Sequence, residues 1–153
     1  MGTYASNTDV SSDRSRSEIE RTLERYGATH FGYMSEPGRA LVAFQKNGRQ
    51  VRFIVPLPDR TARNFTHTPT GRVASPSAAQ GAYEQAVRQR WRALALVVKA
   101  KLEAVESGIA EFDQEFYGYM VLPNGHTVYE DTSEQVSKMI ATGNPSRLML
   151  EAR

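Results

Sequence analysis

Residues 77–107, SAAQGAYEQAVRQRWRALALVVKAKLEAVES, constrain the fold of this chain more than any other stretch. Tyr83, Val87, Trp91, Leu94, Val98, Leu102 and Val105 recur at steps of three and four, which keeps them on one stripe of a 3.6-residue helix. Most of the remaining positions are Ala, Leu, Gln, Glu, Arg or Lys, all strong helix formers. Ser77 is placed to cap the start behind Pro76, and Gly108 to end the helix. Its middle, residues 93–98 (ALALVV), is apolar all round, which points to burial on more than one side. A helix of this length needs a partner layer, and the residues before it supply one.

Asn47-Gly48 is a strong two-residue hairpin signal between the runs 39–46 (RALVAFQK) and 49–55 (RQVRFIV). A two-residue turn there pairs Lys46 with Arg49, so Phe44 faces Val51, Val42 faces Phe53 and Ala40 faces Val55 on one apolar face. The opposite face is polar near the turn and apolar near its base. A third strand, 29–34 (THFGYM), precedes the Glu36-Pro37-Gly38 turn. The expected fold is therefore α+β: an antiparallel meander packed on one long central helix. Capping-box spacing at Ser15/Glu18 or Ser17/Glu20 and the edge Ile19, Leu23, Tyr26 predict a short helix from about 15 to 26. Residues 1–14 read as a flexible tail, 15–144 as one domain and 145–153 as a C-terminal tail whose Leu148-Met149-Leu150 docks on the body. Residues 109–119 read as a short helical segment, 119–129 as a second hairpin around Pro123-Asn124-Gly125, and 134–141 as a last helix capped by Thr132 or Ser133.

Charge is distributed unevenly. The whole chain carries only +2, yet residues 39–101 hold twelve Lys or Arg against Asp59 and Glu84. That middle is +10, residues 1–38 are −2 and residues 102–153 are −6. A basic centre on a near-neutral chain is the footprint of a polyanion binder, unless the acidic C-terminal third folds back and neutralises it. The connection 56–76, about 21 residues without periodicity, adds Arg60, Arg63, Arg72 and Phe65 before the helix. On a helical wheel Arg88, Arg92 and Lys99 form one stripe. The expected nucleic-acid contacts are thus Arg52, Arg60, Arg63, Arg72, Arg88, Arg92 and Lys99 on phosphate. Phe65 is the exposed aromatic expected to stack on a base, and the loop that carries it is expected to be mobile until a partner orders it. Trp91, squarely on the apolar stripe, is expected in the core.

Other chemistries find little support. There is no cysteine, which excludes disulfides and thiolate catalysis and fits a reducing cytoplasm. His30, His67 and His126 are scattered, and Glu111, Asp113 and Glu115 read as solvated acids, so no metal site and no cofactor are expected. No phosphate loop, nucleophile elbow or zinc-protease motif is present, so no catalytic residues are assigned. The competing class is a protein-binding module or homo-oligomer, motivated by the all-round apolar 93–98 segment.

Four stretches, RYGATHFGY (25–33), GRQVRFIVPLPDR (48–60), THTPTGR (66–72) and RQRWRALALVVKAKLEAVESGI (88–109), resemble a family of small proteins encoded by bacteriophages and prophages. The similarity runs over most of the chain, and the last stretch is its most specific part. The resemblance implies phage origin and a place in the bacterial cytoplasm, and it lends no catalytic residues. Because such genes often sit in replication, recombination or host-takeover modules, it implies a role in phage DNA metabolism. A strand meander followed by a long helix is also similar, in topology alone, to the core of single-strand annealing proteins.

Overall fold

The computed structural model describes residues 2–145, with side chains from residue 12 onward. Helix α1 (Gly2–Arg25) leads into strands β1 (Thr29–Glu36), β2 (Arg39–Lys46) and β3 (Arg49–Pro56). A one-turn helix α2 (Arg63–Thr66), the long helix α3 (Pro76–Glu106) and the short helix α4 (Phe112–Phe116) follow. Helix α4 runs into a 3-10 turn (Tyr117–Tyr119), and α5 (Val128–Thr142) is the last described element. The architecture is α+β, as the sequence leads one to expect. None of the described helices is long and apolar enough to cross a membrane.

The three strands form one antiparallel sheet in the order β1-β2-β3. Asn47 (φ 53°) and Gly48 (φ 71°) both adopt the left-handed conformation that a type I′ turn requires. The register follows from that turn: Phe44 pairs with Val51, Val42 with Phe53, and Ala40 with Val55. All six side chains are buried in the core. On the open face Gln45 and Gln50 near the turn are exposed, as are the apolar Met34 and Ile54 nearer the base. The start of β1 is irregular. His30 takes φ 56° and the β1–β2 register shifts between Thr29 and Gly32.

Helix α3 presents Trp91, Leu94, Ala95, Val98 and Leu102 to that core, and Trp91 is only 2 % exposed. Its ring lies 5.2 Å from Tyr33, so its expected core role holds. Phe116 of α4 inserts between helix and sheet, edge-on to Phe44 at 5.8 Å and to Phe53 at 6.3 Å. The cap of α3 is Ser75 rather than Ser77. Its side chain accepts from the Ala78 amide at 3.2 Å, and Pro76 occupies the first helical turn, where its missing N–H costs nothing. Gly108 (φ 80°) ends the helix as expected.

Three expectations change. Helix α1 starts at Gly2, so the backbone of the expected tail 2–14 continues the helix instead of leaving it. Once Ile19, Leu23 and Thr22 dock a turn in the core, each further residue adds a hydrogen bond without a new nucleation cost. The second hairpin shrinks to a single bridge, Val121 to Thr127, while Met120 pairs with Val51 on the edge of β3. Helix α5 therefore begins earlier, at Val128. Thr127 is its cap, accepting from the Glu130 amide at 3.2 Å in a Thr-x-x-Glu box, so Thr132 and Ser133 lie inside the helix. Beyond Pro145, the expected docking of Leu148-Met149-Leu150 lies outside the described residues.

Candidate functional site

Helix α1 packs along α3. The two run in the same direction: the Arg16 guanidinium lies 5.7 Å from the Trp91 ring at one end, and Tyr26 donates its hydroxyl proton to Glu103 at the other. Their outer surfaces leave a groove between them. At its first end Arg14, Ser15 and Glu18 of α1 face Gln85, Arg88, Gln89 and Arg92 of α3, around a cavity of about 320 Å³. Further along, Arg21 and Arg25 come beside Lys99. At the far end Arg25 and Lys99 meet Glu103 and Glu106. The groove thus gathers six cations against three carboxylates, with its positive charge concentrated at the Arg14/Arg88/Arg92 end.

None of those six cations has a carboxylate within ion-pair distance among the described residues. Several cations elsewhere are engaged. Arg49 bonds Asp113 at 3.0 Å, Arg52 bonds Glu130 at 3.0 Å, and Lys101 bonds Glu115 at 3.1 Å. Arg39 pairs with Glu36, and Arg16 pairs with Asp13 while lying 4.5 Å over the Tyr33 ring. The acidic C-terminal third does fold back on the basic middle, then, but among the described residues its ion pairs there reach only Arg49, Arg52 and Lys101. The two acids within the basic middle are also occupied. Glu84 is buried and accepts from Gln80 at 2.7 Å. Asp59 accepts from the amide and hydroxyl of Thr61, which hold its carboxyl below the usual range.

Of the residues expected at a nucleic-acid site, Arg88, Arg92 and Lys99 therefore come together, and the other five do not join them. Arg52 lies on the open sheet face. Its hydrogen bond to Glu130 is the main cause that lowers the Glu130 carboxyl below its ordinary value. Arg60 stacks 4.1 Å over Tyr83 and donates to Gln80. Arg63 and Arg72 are exposed on the connection, away from the groove-lining residues. Phe65 is the clear correction: it is 7 % exposed and packs edge-to-face on Tyr83 at 5.8 Å. A ring in that position anchors the connection and is not presented for stacking. The connection itself carries α2 and a bridge from His67 to Val73, so it is built structure and not an open loop.

Sequence reasoning missed Arg14, Arg21 and Arg25. Their steps of seven and four put them on one side of a helix, a basic stripe legible in the sequence once α1 is read as extending to residue 14. Of the acids read as solvated, Asp113 pairs with Arg49 and Glu115 with Lys101, and no group of three His, Asp or Glu converges among the described residues. Comparison of the chain with protein-family models, curated proteins and solved structures gives no match.

Proposed function

We propose that this protein is a non-catalytic nucleic-acid-binding protein that holds the phosphate backbone along the α1/α3 groove. The observation that carries the reading is the set Arg14, Arg21, Arg25, Arg88, Arg92 and Lys99, six cations on one helix pair with no carboxylate partner among the described residues, on a chain whose other helix and strand cations are mostly paired. Unpaired guanidinium groups in a row suit phosphates, because each phosphate contact releases condensed counterions and needs no base-specific geometry. Gln85 and Gln89 add hydrogen-bond donors and acceptors at the same end. With Phe65 buried, the site lacks the stacking aromatic expected from the sequence, which favours backbone binding over base readout. The resemblance to phage and prophage proteins supports a place in phage DNA replication or recombination.

Polarisation titrations with labelled single- and double-stranded oligonucleotides test this directly. At about 20 mM salt, binding to at least one form is expected, weakening steeply as salt is added. Failure to bind either form under those conditions removes the reading.

A further inference from the structure

Among the described residues, none covers one face of the middle of helix α3. Ala86, Ala93, Leu96, Val97, Ala100 and Ala104, interrupted only by the polar Gln89, lie within roughly 100° of one another on the helix, opposite the stripe that enters the core. Two of these are large and sit at mid-helix: Leu96 is 62 % exposed and Val97 43 %. The steps of four, three and four from Ala93 through Val97 and Ala100 to Ala104 are those of a helix–helix seam, and the small alanines allow a second backbone to approach closely. The all-round apolar segment thus has core on one side and a bare face on the other.

The charges beside this face say what fits it. Along the flank nearer α1, the first half of the helix carries Arg88 and Arg92, and the second half carries Glu103 and Glu106 beside the single cation Lys99, so the flank is net positive in its first half and net negative in its second. A flank that is positive at one end and negative at the other complements its own reversed copy. A parallel copy would instead bring that flank's arginines toward Arg90 of the opposite flank, a repulsive contact. We propose that the protein forms a homodimer in which two α3 helices pack antiparallel through Leu96 and Val97, with Arg92 of each copy against Glu103 of the other. The two-fold axis then passes near Val97. An axis perpendicular to the helix pair keeps both α1/α3 grooves on the same side of the dimer, so Arg14, Arg21, Arg25, Arg88 and Lys99 of both copies form one extended basic surface. Dimerisation itself does not depend on the nucleic-acid reading.

Light scattering on the full-length protein at about 50 µM should give twice the 17.1 kDa chain mass. Leu96→Glu, at an exposed position, should leave helical content and cooperative unfolding intact while raising the dimer dissociation constant by about a hundredfold, because it buries two carboxylates in the seam. Arg92→Glu and Glu103→Arg should each weaken the dimer, and the double variant should restore it. Orientation is read by crosslinking, since the chain has no cysteine of its own. Val97→Cys should oxidise readily to a covalent dimer. Ala86→Cys should not, because antiparallel packing sets the two Ala86 positions roughly 33 Å apart along the axis. A monomer at this concentration, a dimer indifferent to Leu96→Glu, or equal crosslinking at 86 and 97 would each overturn the proposal. These readouts are taken without nucleic acid, so their failure and failure of the binding reading are separate results.

Discussion

The two sides of the molecule use the same residue types differently. On the β3 side, Arg49, Arg52 and Lys101 each meet a carboxylate supplied from the region after α3. Those pairs tie α4 and the start of α5 onto the sheet and the long helix, and Lys101 further lies 5.1 Å from the ring of Tyr119. On the α1 side, six cations line a groove and none has a carboxylate partner among the described residues, although Arg88 donates to Gln85 at 2.6 Å. A cation that has a carboxylate partner helps fix the fold, and a phosphate must displace that partner to bind it. A cation left facing water needs no displacement. The difference separates the arginines that hold this chain together from those available to a ligand, and charge counted along the sequence does not make that separation.

The largest effect that would sharpen this contrast concerns Phe65. If it anchors the connection, Phe65→Ala costs about 3 kcal/mol or more of stability, measured by denaturant unfolding, and leaves oligonucleotide affinity of the folded protein unchanged. A variant of normal stability that had lost binding would put Phe65 back at the ligand. Arg52→Ala is a smaller probe of the paired side. It should lower stability by about 1 kcal/mol, through the lost pair and the lost packing of its stem, with little change in binding.

The smallest effect is a dependence on pH confined to the paired side. The bond from Arg52 lowers the Glu130 carboxyl below its ordinary 4.5, and bonds from Asn124 and then His126 lower that of Asp131 below 3.8. Groups depressed in the folded state add stability that is complete above the ordinary carboxylate range and is lost as pH falls through their folded values. Melting temperature should therefore decline modestly below about pH 4.5, and Glu130→Gln should flatten part of that decline. An unchanged pH profile in Glu130→Gln would separate Arg52 and Glu130 energetically despite their contact.

Local signals were legible in the chain, and distant pairings were not. Asn47-Gly48 sets the β2–β3 register because a two-residue turn leaves no slack. The stripe from Trp91 to Leu102 is buried because helical period and apolarity agree over several turns. The start of α5 was hidden by the strand-like run His126-Thr127-Val128-Tyr129, although Thr127 and Glu130 already have capping-box spacing. Phe65 was misjudged because one turn of helix has no readable period, and only the fold brings Tyr83 against it. The same holds for the site. Arg52 and Glu130 stand 78 residues apart, and Arg14 and Arg88 meet only because α1 lies along α3. Half of the groove was visible as a basic stripe on α3, and the other half needed the packing of α1.

The measurement closest to the central claim is the salt dependence of oligonucleotide binding in the parent and in the triple variant Arg14→Ala, Arg21→Ala, Arg88→Ala. Phosphate contact by the groove predicts a steep linear fall of log affinity with log salt in the parent, with a slope magnitude of about 3 to 5. In the triple variant the slope should shrink by two to three units, on the order of one per cation removed, with stability changed by less than about 0.5 kcal/mol. The Arg52→Ala control should keep the parental slope. A slope unaltered in the triple variant, or reduced as much by Arg52→Ala, would contradict the assignment of the α1/α3 groove as the binding surface.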